Sequence, residues 1–300
     1  MGRSHRAVFG ELLLAALAVV AGAAGAGTAS PERAAGAGGA AGGGGRSRIE
    51  FETTSEFSHI RVKRQGNVHT LLFVRDNGDE VEESMVNLKK PYEVLVPYVR
   101  YMFTSYLFQP KPQRVLIVGL GGGAMVHFLR HYDPELTVDV VEIDPAVVSV
   151  ADKYFEVRSG GKIDIITADG RKYLETTDKR YDVIYLDAFL KPAAETDSTG
   201  MPLAMKTVKF YKGLQEKLAP EGVVVFNLNR QPGTEADIRN IRSAFPQGYV
   251  FRMQTDNLVV AATLSRERLS PAEVRARAKP IDARFKATFS FQELSRHLSP

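Results

Sequence analysis

The chain of 300 residues contains no cysteine and no tryptophan. Without cysteine there can be no disulfide, no thiolate metal ligand and no sulfur nucleophile. The six histidines are scattered, and no zinc or other metal site is expected from them. Charge of one sign is also scarce: the net of +4 comes mostly from the start of the chain. There Arg3, Arg6, Arg33, Arg46 and Arg48 face only Glu11 and Glu32. The remainder is close to neutral, so no nucleic-acid partner is expected. A composition of 44% hydrophobic and 25% charged residues excludes a wholly disordered chain, a collagen-like fibre and a polytopic membrane protein.

The first residues differ from the rest. Arg3, His5 and Arg6 precede an apolar stretch from Leu12 to Ala26, which ends in small residues. This is the pattern of a secretory signal peptide, and it is short for a membrane span, which needs about 20 apolar residues. Residues 1–27 are therefore expected to be a signal peptide or apolar leader. The competing readings are an Ala/Gly-rich tail and a start codon placed too far upstream. Nearly half of the 26 glycines lie before Arg46. Such a segment cannot bury enough apolar surface to offset its ordering entropy, so residues 28–48 are expected to be a disordered linker.

Residues 49–90 read as a small β-rich domain. Short apolar-polar stretches around Phe51, Ile60, Val62, Leu71 and Phe73 are separated by Gln65-Gly66-Asn67 and Asp76-Asn77-Gly78-Asp79, which read as hairpin turns. From Pro91 to Phe108 apolar residues recur at helical spacing, with Pro97 a candidate kink. After Pro112 strands and helices alternate. Val115–Val118, Val138–Ile143, Ile163–Thr167, Val183–Leu186 and Val223–Leu228 are apolar runs of buried strands. Helices fit Pro145–Phe155, Arg171–Thr176, Leu203–Leu218 and Ala236–Phe245, and Tyr249–Met253 and Leu258–Thr263 fit a closing antiparallel pair. The fold class is α/β, with a mostly parallel sheet covered by helices over residues 91–264. Residues 265–300 form a charged helical tail without an evident role.

Chemistry concentrates where the strands run out. Val115–Val118 leads into Gly119, Gly121, Gly122 and Gly123, a loop that lets a ligand approach the backbone. The second strand ends in Glu142-Ile143-Asp144, about 20 residues past the loop, where an acid can accept both hydroxyls of a ribose. The third ends in Asp169-Gly170, placed to meet an adenine amino group, and the fourth in Asp187. A single acid at a strand end is often a helix cap. Four strand ends bearing a glycine cluster or an acid point instead to a nucleoside. The loop also satisfies the permissive G-x-G-x-x-G/A pattern of dinucleotide sites, so the motif alone leaves a dehydrogenase open. Asp169 and Asp187 suit a nucleoside without phosphates, and carboxylates attract a sulfonium cation.

These motifs, Gly119-Leu120-Gly121-Gly122-Gly123, Val141-Glu142-Ile143-Asp144-Pro145, Ala168-Asp169-Gly170 and Tyr181 to Asp187, resemble the spermidine synthase-like family. The resemblance runs from about Glu50 to Thr263 and implies a Rossmann-like class I S-adenosylmethionine methyltransferase fold behind a small β domain. It also implies that Glu142 holds the ribose, that Asp169 meets the adenine, and that Asp187 lies near the reacting amine as general base. Gly119, Gly121, Gly122, Gly123, Asp144 and Gly170 complete the implied cofactor site. A cofactor made in the cytosol conflicts with a secretory leader, so location stays open between cytoplasm and export or anchoring. A homodimer is a further expectation of the resemblance.

The sequence departs from authentic aminopropyltransferases at two places. Gly122 stands where they carry the aspartate of G-G-G-D-G-G, and Leu190 where they carry the second aspartate of D-x-x-D-P. An acid in the loop would repel the carboxylate of ordinary S-adenosyl-L-methionine, since two like charges about 4 Å apart cost about 4 kcal/mol at an effective dielectric near 20. Gly122 removes that repulsion. The expected activity is therefore methyl transfer from S-adenosyl-L-methionine to an amine or other nucleophile. The alternatives are polyamine aminopropyl transfer from decarboxylated S-adenosylmethionine, with Asp187 as base, and a non-catalytic nucleoside-binding protein. The segment Leu190–Pro202 lacks periodicity and is a candidate lid, on which Glu195 and Asp197 are candidate contacts for a cationic acceptor. Tyr92 and Tyr101 are candidate pocket residues with packing as the competing role, and His127 is expected to be structural.

Overall fold

The computed structural model describes residues 46–299. The expected leader and nearly all of the expected linker lie outside the described residues. Alternation of inward apolar and outward charged side chains builds the first sheet, from β1 (Arg48–Thr54), β2 (His59–Gln65), β3 (Val68–Val74) and β4 (Glu80–Asn87). Ile60 and Val62 of β2 are buried, while Arg61 points outward between Glu52 and Glu80. The strands form an antiparallel meander in chain order. The register of β3 against β4 jumps at one place: Leu71 pairs with Ser84 and Leu72 with Glu82, so Glu83 is an extra residue. Such a bulge re-aims side chains that strict alternation would send to opposite faces.

Pro97 does not kink a helix. It opens α1 (Pro97–Met102), where its missing N–H leaves nothing unsatisfied. The helix expected from Pro91 is correspondingly shorter, and Phe103–Leu107 continues as a tight 3-10 turn. The alternating part follows: β5 (Arg114–Val118), α2 (Ala124–Tyr132), β6 (Thr137–Glu142), α3 (Pro145–Phe155), β7 (Ile163–Thr167), α4 (Gly170–Thr176), β8 (Tyr181–Leu186), α5 (Val208–Glu216), β9 (Leu218–Asn229), α6 (Thr234–Ala244), β10 (Gln247–Arg252) and β11 (Asn257–Thr263). The single helix expected over Leu203–Leu218 is a short 3-10 turn at Leu203–Lys206 followed by α5.

The second sheet has the order β10-β11-β9-β8-β5-β6-β7. β7, β6, β5, β8 and β9 are parallel, and β11 and β10 close the edge antiparallel. The chain runs outward from β5 through β6 to β7, then returns to the other flank of β5 with β8. That reversal opens a crevice at the carboxyl ends of β5 and β8, the place where open α/β sheets bind ligands. The fold is the mixed α/β architecture expected, a mostly parallel sheet covered by helices behind an antiparallel β domain.

Side chains from the two faces of the sheet feed two apolar layers. Val115, Ile117, Val183 and Tyr185 point to one and Leu116, Ile184 and Val224 to the other. The C-terminal segment has a definite role. It forms α7 (Pro271–Phe285), opened by a Ser270–Glu273 capping box, and α8 (Phe291–Arg296). Phe285 and Phe291 are buried against Tyr106, with ring centroids 4.8 and 6.4 Å away. Among the described residues no helix is long and apolar enough to cross a membrane.

Candidate active site

The end of β5 is pressed against the end of β8. A Cβ on Gly119 would lie 2.1 Å from the backbone oxygen of Asp187, so only glycine admits this approach. Gly121 and Gly123 also adopt left-handed backbone, and Gly123 is the N-cap of α2. Gly122 faces the buried ring of Phe155 and the Ser84 hydroxyl, each 2.9 Å from where its Cβ would sit. An aspartate at this position has no room. Gly170 starts α4 against Val118.

The acids converge on one cavity of about 350 Å³, a size suited to a small ligand. Glu142, at the end of β6, accepts backbone N–H bonds from Leu120 and Asp144, both 2.9 Å. Burial raises its pKa, and those two bonds oppose the rise. Each of its oxygens keeps a lone pair for a ribose hydroxyl. Asp169 caps α4 through Oδ1, which accepts from the N–H groups of Arg171 and Lys172. Its Oδ2 has no protein partner among the described residues, and the residue lines the cavity.

Asp144 carries a structural load beside the role expected of it. Its Oδ2 accepts from Ser55 and Ser58 hydroxyls at 2.5 and 2.7 Å, and its Oδ1 caps α3 through the Ala146 N–H. The residue is 1% exposed, clasps the β domain to the larger sheet and also lines the cavity, with one acceptor site of Oδ1 uncommitted.

Asp187 sits at the tip of β8. Its Oδ1 accepts from Asn227 Nδ2 at 2.8 Å and its Oδ2 from the Tyr98 hydroxyl at 3.1 Å. Asn257 donates to Asn227 Oδ1, which turns the Asn227 amide N–H toward Asp187. Burial raises the Asp187 pKa, opposed by these two donors. The raised value moves the group toward the range of a general base. Tyr98, from α1, has a pKa well above normal through burial and the negative charges of Asp187 and Glu83.

Glu83, the bulge residue of β4, also lines the cavity. Burial and the charge of Asp187 raise its carboxyl to about 8, with Arg75 opposing. Sequence reasoning missed Tyr98, Asn227 and Glu83. Tyr98 and Asn227 lie 89 and 40 residues from Asp187 in sequence, and only the strand order brings them together.

The roof is apolar: Phe57 and Phe73 come from the β domain, Phe189, Leu190 and Met205 from the segment after β8. That segment is anchored. Lys206 Nζ bridges Asp197 and Asp237 at 2.6 and 2.8 Å. Asp197 is thus a structural anchor and not an acceptor contact, its carboxyl lowered to about 2 because Lys206, Thr199 and Gln231 outweigh burial. Glu195 lines the cavity, as expected of a candidate acceptor contact on this segment. Tyr92 stacks on His131 at 3.8 Å and Tyr101 on His297, so neither lines the cavity. His127 and His131 share helical spacing but do not converge: His127 bonds the Phe155 carbonyl and Arg130, away from the cavity.

Residues 98–261 match the sequence model of the spermine/spermidine synthase domain. The polyamine aminopropyltransferase of Vibrio vulnificus is 30% identical over 227 residues, covering 74% of each chain. Among solved structures, human methyltransferase-like protein 13 in complex with SAH aligns with a TM-score of 0.59 at 25% identity, over 65% of this chain and 95% of that one. A spermidine synthase in complex with the transition-state analogue AdoDATO aligns with a TM-score of 0.60 at 17% identity, over 84% of each chain.

Proposed function

This chain belongs to the spermine/spermidine synthase family of transferases, and from that membership we propose that it transfers the aminopropyl arm of decarboxylated S-adenosylmethionine to an aliphatic amine. The observation that carries this reading is the charge of the cavity wall. Glu83, Glu142, Asp144, Asp169, Asp187 and Glu195 line it, whereas Arg171 is the one basic lining residue among those described. Arg171 is itself engaged by Glu175 at 2.6 Å. Such a wall favours a donor and acceptor that are both cationic and disfavours a free carboxylate. This reverses the donor preference expected from Gly122 alone, because acids outside the loop restore the negative field.

Glu142 and the free oxygen of Asp169 hold the ribose and the adenine amino group. Asp187 accepts the proton that the amine sheds as its nitrogen bonds to the carbon beside the sulfonium. The carbon–sulfur bond breaks with its electron pair passing to sulfur, which leaves as a neutral thioether. Tyr98 and Asn227 fix the Asp187 carboxylate for that task. The apolar roof of Phe57, Phe73, Phe189 and Leu190 suits the carbon chain of the amine.

A second reading, methyl transfer from S-adenosylmethionine, is favoured by one observation. The N-terminus of α2 has no side-chain cap, so its backbone N–H groups can receive a carboxylate. Incubation with each donor and a diamine such as putrescine separates the two. Aminopropyl transfer predicts diamine-dependent release of methylthioadenosine. Release of S-adenosylhomocysteine with no methylthioadenosine would establish the methyl reading instead.

A further inference from the structure

Gly122 leaves the glycine loop without the acid that would meet an ammonium at the end of the donor arm. The loop is nevertheless not open on that side. Strand β4 crosses it, with the Ser84 side chain 3.7 Å and the Glu83 backbone oxygen 4.0 Å from where a Cβ of Gly121 would be. The bulge makes this crossing unusual. Strict alternation would send Glu83 and Ser84 to opposite faces of the β domain, yet both line the same cavity. An extra residue in the ladder is what permits it.

The Glu83 side chain has no hydrogen-bond or ion-pair partner among the described residues. Of the other acids on the strand, Glu80 pairs with Arg61 and Lys63, and Glu82 is exposed and outside the cavity lining. Among the charges that act most strongly on Glu83, Asp187, Glu142 and Glu82 are negative and Arg75 is positive. Arg75 is exposed and outside the cavity lining. Glu83 therefore lines the same cavity as the acid assigned to the ribose and the acid at the reacting centre, on the strand that crosses the loop, with its carboxyl group uncommitted.

We infer that Glu83 is the residue that selects the donor, its carboxylate taking the ammonium at the end of a decarboxylated arm and rejecting an arm that carries a carboxylate. The inference rests on the aminopropyl reading above and adds the residue responsible. It explains how an enzyme of this family tolerates a glycine at the loop position: the negative charge has moved from the loop to the strand that lies across it. The Glu83 carboxyl, raised to about 8 by burial and by Asp187, gives up its proton against an arriving ammonium, whereas a carboxylate-bearing arm meets Asp187 with only Arg171, already paired with Glu175, as a cation of the wall.

The test is donor selectivity, measured as the ratio of dissociation constants for S-adenosylmethionine and its decarboxylated form by calorimetry. Methylthioadenosine, which lacks the arm, serves as the control ligand. The native chain is expected to prefer the decarboxylated donor by about a hundredfold, and Glu83→Gln to narrow that ratio by at least about tenfold, on the strength of a single charge contact. Glu83→Asp should retain most of the preference, and methylthioadenosine affinity should stay within about twofold in all three, which shows that the site is intact. If the native chain prefers the decarboxylated donor and Glu83→Gln leaves the ratio unchanged, the role of Glu83 is refuted while the aminopropyl reading stands. If the native chain prefers S-adenosylmethionine, the aminopropyl reading itself fails.

Discussion

At the scale of single residues, the account turns on how Asp187 is held. Tyr98 donates to the ionised carboxyl and so lowers its pKa, against the rise that burial imposes. Removing the hydroxyl lets the pKa climb. Tyr98→Phe is therefore expected to move the acid limb of the kcat/KM profile to higher pH and to cost about tenfold in kcat near neutral pH. A profile that keeps its position while activity falls would assign Tyr98 a packing role only. Gly122→Asp, which restores the acid of authentic aminopropyltransferases, should destabilise the fold by about 1 to 3 kcal/mol because the new side chain meets the Phe155 ring. Denaturant titration reads this directly, and an unchanged midpoint would show that the loop can yield. These residues differ in how visible they are without a structure. Glu142, Asp169 and Asp187 stand at the tips of buried parallel strands, which announce themselves as continuous apolar runs. Glu83 sits in a charged run, Glu82-Glu83-Ser84, that reads as a solvated face; only the bulge turns it inward, and no periodicity encodes a bulge. Asp144 is legible by type and position, but its clasp to Ser55 and Ser58 in the β1–β2 loop is a contact across the chain that no local pattern encodes.

At the scale of elements, the segment after β8 was legible as a non-periodic stretch over the site, but not as a stapled one. Its anchoring depends on Lys206 meeting Asp197 nearby and Asp237 on α6, a contact between side chains of separate elements. Breaking a partly buried pair by removing one member leaves charge uncompensated. Lys206→Met should cost about 2 to 3 kcal/mol, raise KM for the amine, and speed amide exchange across residues 190–206. Exchange confined to its original rate would contradict the staple. The pH dependence has a definite sign. Asp197 is lowered to about 2 in the folded chain, below an unfolded value of about 3.9. Its contribution is fully present above that unfolded value and is lost as pH falls toward 2. Helix α1 teaches a related lesson about punctuation. Pro97 signals a boundary in either reading, but whether it kinks or starts a helix depends on the residues before it, and Pro91–Val96 do not continue the helix.

At the scale of the whole molecule, the site is a joint product of two sheets. The β domain contributes Phe57, Phe73, Glu83 and Ser84 to the cavity, and the larger sheet contributes the glycine loop and the remaining acids. The C-terminal helices lie on the apolar layer beneath α1 and α2, where Phe285 packs with Tyr106, Phe128 and Phe291. They support the scaffold without lining the cavity. Phe285→Ala should therefore lower stability by about 3 to 5 kcal/mol while leaving the donor affinity of the folded protein within about twofold. A large loss of affinity at retained stability would instead tie these helices to the site. The central claim is that acids on successive strand tips of the larger sheet enclose an adenosyl sulfonium. A crystal structure with the decarboxylated donor bound tests it most directly. The account predicts ribose hydroxyls on Glu142, the adenine amino group on Asp169 and the sulfonium beside Asp187. A dinucleotide seated across that crevice in its place, or a donor bound away from all three carboxylates, would contradict it.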